Sequence, residues 1–167
     1  MDNLNNDQIQ ELILNKFQAS VTHFNIPFDL PTFTLEDKNL ISDVLYFLKN
    51  DSKLNFKFLT TLCGAHYPKE KTLSVIYHLH NLSLNKRIRI KVNLSEDNPE
   101  IDSATPVFPG ANWMERETYD FYGIKFNGHP NLKRILNMED LKVFPMRKEY
   151  PLEDPNRTDK DDAQFGR

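Results

Sequence analysis

Two neighbouring stretches of alternating apolar residues constrain the fold of this chain most strongly. Apolar side chains occupy every second position of both stretches: Leu73, Val75, Tyr77, Leu79, Ile88, Ile90, Val92 and Leu94. A two-residue period places these side chains on one face of each strand and leaves Arg87, Arg89 and Lys91 on the other. Because residues 81–85 form a short connection, the pattern predicts an antiparallel hairpin with one buried face and one wet, basic face.

Three helices are predicted in addition to this hairpin. Apolar residues recur at helical spacing in two segments: Ile9, Leu12, Ile13 and Phe17, and then Leu40, Ile41, Val44, Leu45 and Leu48. We expect Asn5 or Asn6 to cap the first helix, and residues 34–37 resemble a capping box ahead of the second. Residues 111–122 predict a third helix, which Gly123 would close just after its last turn.

The segments between these elements predict an edge strand and turns. Residues 22–28 alternate and predict a strand, which Pro27 restricts to a sheet edge. Residues 54–62 fit either a helix or a strand, and residues 65–68 predict a turn. We therefore expect an α+β fold, in which helices pack on a small mixed or antiparallel sheet.

The C-terminal part of the chain differs from the rest in composition. Prolines interrupt it at positions 130, 145, 151 and 155, and residues 153–167 are too polar to build a core. Large apolar residues nevertheless recur between Phe126 and Tyr150, so this part must pack on something. The sequence predicts an α+β domain over residues 1–123 and an extended C-terminal interaction segment over residues 124–167. This segment would pack on the domain itself or on another protein.

Composition argues against several classes of protein. A net charge of -3 argues against a dedicated nucleic-acid binder. Cys63 is the single cysteine, so the chain alone cannot form an internal disulfide or hold a cluster through four thiolates. The acidic N-terminal residues are unlike a signal or transit peptide, and no stretch approaches the ~20 apolar residues of a membrane helix. We therefore expect a cytoplasmic chain with no membrane span, either free or attached to something else.

Ionisable side chains that could act in catalysis or bind a metal ion are densest between positions 113 and 123. Helical spacing allows Arg116 to pair with Asp120, and it places Glu117 and Asp120 on one face. Two such carboxylates could act as an acid–base pair or, with His129, hold a hard metal ion. Nothing fixes the geometry of further ligands, so we favour a charged helix face held by ion pairs within the helix and between subunits.

Other candidate residues favour structural roles. His66, His78 and His80 lack the spacing of metal ligands, and we expect Cys63 to be a small buried apolar residue. Without a glycine-rich phosphate loop, two basic pairs favour docking to an acidic partner surface: Lys133 with Arg134, and Arg147 with Lys148.

Many of these residues also fit one long pattern of mixed chemistry. The pattern covers residues 111–117, 120–124, 128–136 and 145–151, and includes Trp113, Glu115, Arg116, Glu117, Asp120, Gly123, His129, Pro130, Arg134, Arg147, Lys148 and Tyr150. It resembles the signature of the C subunit of respiratory complex I, the proton-translocating NADH:quinone oxidoreductase. The hairpin strands resemble this family as well, and the likeness extends over residues 30–155. His66 departs from it, since the family usually has an aspartate before the Tyr-Pro pair.

The resemblance implies a scaffold subunit without catalytic residues, flavin or iron–sulfur cluster of its own. The FMN and the iron–sulfur clusters of the complex would lie in other subunits. The chain would form a hetero-oligomer with peripheral-arm subunits, chiefly the large quinone-site subunit, on the cytoplasmic face of the bacterial inner membrane. The twelve residues named above would form the family motif and subunit interface, and the C-terminal segment would extend over the neighbouring subunit.

Two alternatives remain open at this level. The first is the homologous subunit of a related membrane-bound hydrogenase, or of a dehydrogenase with a different electron donor, which shares the fold and the Glu-Arg-Glu motif. The second is a free-standing hydrolase or metal enzyme that uses Glu117, Asp120 and His129. Turnover or stoichiometric metal in the isolated chain would support this second alternative.

Overall fold

Three α-helices and seven strands make up the described part of the chain. The computed structural model describes residues 4–27 and 30–150. The helices are α1 (Asn6–Phe17), α2 (Ile41–Asn50) and α3 (Ala111–Tyr122). The strands are β1 (Val21–Asn25), β2 (Thr32–Leu35), β3 (Phe58–Tyr67), β4 (Thr72–Asn81), β5 (Lys86–Ser95), β6 (Glu100–Asp102) and β7 (Lys125–Asn127).

Five of the strands form one mixed sheet in the order β1-β2-β5-β4-β3. β2 pairs with β5 in parallel, whereas β1 with β2, β5 with β4 and β4 with β3 are antiparallel pairs. The short strands β6 and β7 form a separate parallel pair. The predicted α+β class, with helices on a mixed sheet, is therefore confirmed.

The predicted hairpin consists of β4 and β5, which pair along their whole length. All eight of its alternating apolar residues are at most 3% exposed, and they face the same core as Ile9 and Ile13 of α1 and Ile41 and Leu45 of α2. Full burial of one such side chain stabilises a fold by roughly 1.5–3 kcal/mol, so this face is a major source of stability.

The predicted start of α1 and the predicted end of α3 are also confirmed. Asn5 Oδ1 accepts the Gln8 main-chain N–H at 2.8 Å, and Gln8 Oε1 accepts the Asn5 N–H at 2.9 Å, which completes a capping box at the start of α1. Gly123 directly follows α3 with φ +74°, a left-handed conformation that glycine adopts without a steric penalty.

Two local predictions are wrong. Residues 34–37 do not form a capping box, because Thr32–Leu35 is strand β2, which pairs with β5 and buries Phe33 and Leu35. Residues 65–67 do not form a turn, because they complete β3, and the chain turns at residues 68–71 instead. Both errors concern segments whose strand conformation depends on pairing with another strand: residues 32–35 pair with β5, more than fifty residues later, and residues 65–67 pair with the start of β4.

The strand predicted over residues 22–28 is present but shorter. It is β1, which lies at the edge of the sheet as expected and ends before Pro27. Its pairing with β2 shifts register between Thr22 and Asn25, and Ile26 is 40% exposed. Phe28, the last residue of the predicted strand, lies outside the described residues.

The chain after α3 packs on the rest of the described structure. Ile124 and Phe126 belong to the common core, and β7 places Phe126 opposite Ile101 of β6. Residues 128–150, here named the C-terminal strap, then run irregularly against α3. A domain boundary at Gly123 stays a prediction, and residues 151–167 lie outside the described part.

Candidate functional site

Helix α3 has one side against the sheet and one side toward solvent. Ala111, Glu115 and Thr118 are buried, whereas Trp113 is 61% exposed and Glu117 is also exposed. The helix packs closely on β3 at Gly64, where an added Cβ would lie 2.5 Å from Cδ2 of Tyr122. The glycine therefore sets the distance between helix and strand, because no larger residue fits there without movement.

A buried carboxylate on α3 organises the C-terminal strap. Asp120 is fully buried, and its Oδ1 lies 2.8 Å from Nη1 of Arg134. Its Oδ2 accepts three main-chain N–H groups in succession, from Ile135 at 3.1 Å, Leu136 at 2.8 Å and Asn137 at 2.9 Å. Burial alone would raise the pKa of Asp120, but these hydrogen bonds and Arg134 together hold that pKa well below its usual range.

Two arginine side chains, Arg134 of the strap and Arg116 of α3, fix the strap by hydrogen bonds to main-chain carbonyls. Nη1 of Arg134 also donates to the Asp120 carbonyl, and its Nη2 donates to the carbonyls of Leu141 and Val143. Arg116 donates from Nε to the Lys133 carbonyl at 3.0 Å and from Nη2 to the Arg134 carbonyl at 2.8 Å. The predicted Arg116–Asp120 pair is therefore wrong, because Arg134 of the strap takes the carboxylate and Arg116 binds carbonyls.

An aromatic ring fills the space beside the end of α3. Phe144 packs on Gly123 so closely that an added Cβ would lie 2.5 Å from Cε2 of the ring. The guanidinium groups of Arg134 and Arg147 lie 5.1 and 5.0 Å from the ring centroid, within cation–π range. Arg147 also donates from Nε to the Tyr122 carbonyl at 2.8 Å. Gly123 thus serves both the helix end and this close contact.

A second buried carboxyl group lies on the sheet side of α3. Glu115 is fully buried, and it accepts hydrogen bonds from the Ala104 N–H at 2.6 Å and from the Ser103 hydroxyl at 2.7 Å. Burial outweighs these two hydrogen bonds and raises the pKa of Glu115 to about 7. The same carboxyl group adds to burial in raising the pKa of Tyr77.

His129 lies beside this carboxyl group with its side chain fully buried. Its Nε2 is 4.0 Å from Oε2 of Glu115. Its Nδ1 accepts the Asn131 N–H at 3.0 Å, so Nε2 carries the proton and donates to the Asn112 carbonyl at 3.1 Å. The Nε2 bond therefore joins the strap to α3, whereas the Nδ1 bond lies within the strap.

His66 ties the far end of the strap to the sheet. Its Nδ1 accepts the Lys148 N–H at 2.9 Å, and the ring lies 3.4 Å from Glu96 and 3.7 Å from Glu149. Among the described residues, these three are a group whose ligand atoms lie within 4.8 Å of one another. The donor set fits a metal ion poorly, because Nδ1 already accepts a hydrogen bond and Nε2 then carries the proton. Local sequence pattern does not reveal this tie, since 82 residues separate His66 from Lys148.

The expectation that Cys63 is buried is wrong. Cys63 is exposed, and it lines an open cleft of 420 Å³ together with Glu117, Phe121 and Met146. Its side chain is on the solvent-facing side of β3, because the adjacent Gly64 takes the side that packs on Tyr122. Partial burial raises the pKa of the Cys63 thiol, which disfavours a reactive thiolate.

The proposed enzyme centre of Glu117, Asp120 and His129 does not come together. Asp120 is bound to Arg134, and His129 donates to the Asn112 carbonyl. Glu117 instead faces the cleft beside Cys63. The structure places other predicted site residues on the surface, where Pro130, Lys148 and Tyr150 are exposed. A role for the twelve residues as a subunit interface stays a prediction.

No helix among residues 4–27 and 30–150 is both long enough and apolar enough to cross a membrane.

Comparison with known proteins identifies the family. Residues 35–156 match the family model of the respiratory-chain NADH dehydrogenase, 30 Kd subunit. The C subunit of NADH-quinone oxidoreductase from Methylobacterium sp. (strain 4-46) is 45% identical over 135 residues, which are 80% of this chain and 62% of that relative. The chain thus spans about three fifths of the length of this relative.

Two solved structures share the fold. A chain of an archaeal respiratory membrane complex, the membrane-bound sulfane sulfur reductase, superposes with a TM-score of 0.75 over 87% of this chain and 85% of its own length, at 23% identity. The trypsin-resistant fragment (1-134) of Nqo5 superposes with a TM-score of 0.64 over 75% of this chain and 98% of its own length, also at 23% identity. The sequence match over residues 35–156, which contains α2, β3 to β7 and α3 with its strap, shows that this chain belongs to the 30 Kd subunit family of respiratory-chain NADH dehydrogenase.

Proposed function

We propose that the chain is a non-redox scaffold subunit in the peripheral arm of a proton-translocating NADH:quinone oxidoreductase. It packs beside the quinone-site subunits and supports electron transfer from NADH to quinone and the coupled translocation of protons. FMN and iron–sulfur clusters belong to other subunits, and the complex lies on the cytoplasmic face of the bacterial inner membrane. Family membership and the reaction in the name of the Methylobacterium relative support this proposal.

One observation carries the proposed scaffold role: charged residues of the motif bind other groups of this same chain. Asp120 and Arg134 neutralise each other in the interior, and Arg116 and Arg147 donate to main-chain carbonyls. A catalytic group must reach its substrate, whereas these groups are occupied in holding the strap on α3. Such an arrangement supports a rigid surface for assembly.

Exposed apolar residues on α3 and the strap support a contact surface for the large quinone-site subunit. Trp113 on α3 is 61% exposed, and Leu136 and Met138 on the strap are 68% and 71% exposed. Large apolar side chains on a surface mark protein interaction sites when they lie together. The Asp120 hydrogen bond to the Leu136 N–H keeps that part of the strap beside α3, which favours a common contact surface.

A homologous subunit in a complex with a different electron donor is the second candidate. The archaeal sulfane sulfur reductase complex contains a chain of the same fold, which favours this candidate. The two candidates predict different neighbouring subunits, since only an NADH-dependent complex needs a subunit that binds FMN and NADH. Identification of the subunits that co-purify with the tagged chain from its source membrane therefore distinguishes them.

Replacement of an exposed strap residue tests the scaffold role directly. We expect Met138→Asp to lower the amount of assembled complex on native gels, because it places a charge in the proposed contact surface. Leu82→Asp is the matched control, since Leu82 is 66% exposed in the turn between β4 and β5. NADH:quinone activity per assembled complex should stay unchanged in both variants. Normal assembly with lost turnover in Met138→Asp would contradict the proposal.

A further inference from the structure

The five-stranded sheet has an outer face, which meets the motif and the strap at its β3 edge, where Thr61 and Cys63 line the cleft with Glu117 and Met146. On β3, β4 and β5, this outer face is formed by alternate residues, which include Thr61, Cys63, Tyr67, Ile76, His78, His80, Arg87, Arg89, Lys91 and Asn93. These residues are exposed or half-buried in the described structure. The opposite face carries the hairpin's core residues.

The charge on these strands is entirely of one sign. The ten-residue strands β3, β4 and β5 contain no Asp or Glu, although the chain of 167 residues has 24 acidic ones. They carry four basic residues, and three of these, Arg87, Arg89 and Lys91, follow one another at alternate positions on the outer face. Alternate residues of a strand are about 7 Å apart, so these three form a regular row of positive charge.

Neighbouring side chains hold this row in place. His78 Nε2 accepts the Arg89 Nε–H at 3.0 Å, and the Lys91 Nζ lies 4.3 Å from the ring centroid of Tyr67. Burial, Arg89 and Arg87 lower the pKa of His78, which suits a neutral imidazole as the acceptor. Neither contact neutralises a charge, so Arg89 and Lys91 are held in place and remain positive.

We propose that the outer face of β3, β4 and β5 is a second docking surface, which receives an acidic surface of a neighbouring subunit. This inference rests on the proposed function, because it needs an assembled complex, and it concerns a different face from α3 and the strap. An ordered row of arginine and lysine suits protein carboxylates, since guanidinium groups bind them through paired N–H donors. The chain's net charge of -3 makes nucleic acid the poorer match for this face.

Carbodiimide cross-linking of the purified native complex tests the inference. This reagent joins a lysine amine directly to a carboxylate, so mass spectrometry should find Lys91 joined to Asp or Glu of another subunit. Cross-links of Lys91 only to carboxylates of this chain, or no cross-link from Lys91, would overturn the inference. If the chain does not co-purify with any complex, the proposed function itself fails.

Charge reversal supplies a second measurement. We expect Arg87→Glu with Lys91→Glu to reduce the retention of the chain in the complex about fivefold or more at physiological salt, because attraction becomes repulsion. Lys53→Glu with Lys69→Glu makes the same change in net charge at exposed turn positions and should leave retention unchanged. Circular dichroism and the thermal midpoint check that both double variants fold. Equal retention of the two folded variants would overturn the inference and leave the scaffold role standing.

Discussion

Replacement of Asp120 by asparagine tests whether one carboxylate holds the strap on α3. The carboxylate accepts three main-chain N–H groups, one Asn137 side-chain N–H and one Arg134 N–H, and both charged partners are buried. Asp120→Asn keeps the size of the side chain but removes the negative charge and turns one acceptor oxygen into a donor. The Arg134 charge then remains buried without its counter-ion.

The expected cost follows from this geometry. Removal of one partner from a buried ion pair destabilises a protein by about 3–5 kcal/mol, which is a large part of the roughly 5–15 kcal/mol that keeps an ordinary domain folded. We expect Asp120→Asn to lower the free energy of unfolding by about 3 kcal/mol in urea titration of the full chain. Amide hydrogen exchange should accelerate first at Ile135, Leu136 and Asn137, because these N–H groups lose their acceptor.

The pH dependence of this stability loss checks independently that the charge of Asp120 causes it. The folded-state pKa of Asp120 is lowered, so its stabilisation is complete above the unfolded pKa of about 3.9 and is lost as pH falls toward the folded value. The difference between wild type and Asp120→Asn should thus be constant near neutral pH and shrink below about pH 4. Glu117→Gln is the matched control, since it makes the same chemical change at an exposed position of α3. A loss below about 1 kcal/mol, or faster exchange spread evenly over the chain, would refute the assigned role of Asp120.

Two further changes probe the packing around α3. The folded state binds the Glu115 proton more tightly than the unfolded state does, so wild type should lose stability relative to Glu115→Gln as pH rises from 4.5 to about 7. The loss should reach about 3 kcal/mol at most. Thermal midpoints of both proteins across this pH range measure the stability difference, and a difference that does not change with pH would contradict the prediction. Gly64→Ala should lower the free energy of unfolding in urea by about 1–3 kcal/mol, since the added Cβ would overlap the ring of Tyr122. Gly110→Ala is the control and should be tolerated, because nothing lies within 4 Å of a Cβ added there. Equal effects of the two substitutions would count against close packing of α3 on β3.

Local pattern was enough wherever an element is decided by its own residues. Every alternating apolar residue of β4 and β5 is buried in the structure, because successive side chains of a strand point to opposite faces of the sheet. The limits of α3 were also predictable, since Gly123 provides the left-handed residue that ends it. By contrast, β2 was hidden because Phe33 and Leu35 become a strand only through parallel pairing with β5, which lies more than fifty residues later.

The site shows the same division between local spacing and distant partners. Spacing along α3 correctly singled out Asp120 but suggested Arg116 as its partner, because that pair is four residues apart on the helix. The structure instead pairs Asp120 with Arg134, fourteen residues later, where the chain has turned back along α3. A buried carboxylate needs several donors at once, and a neighbouring helical turn cannot supply three consecutive main-chain N–H groups, whereas a strap crossing the helix can. The charged residues of the motif are therefore better explained by their contacts with the strap than by ion pairs within α3.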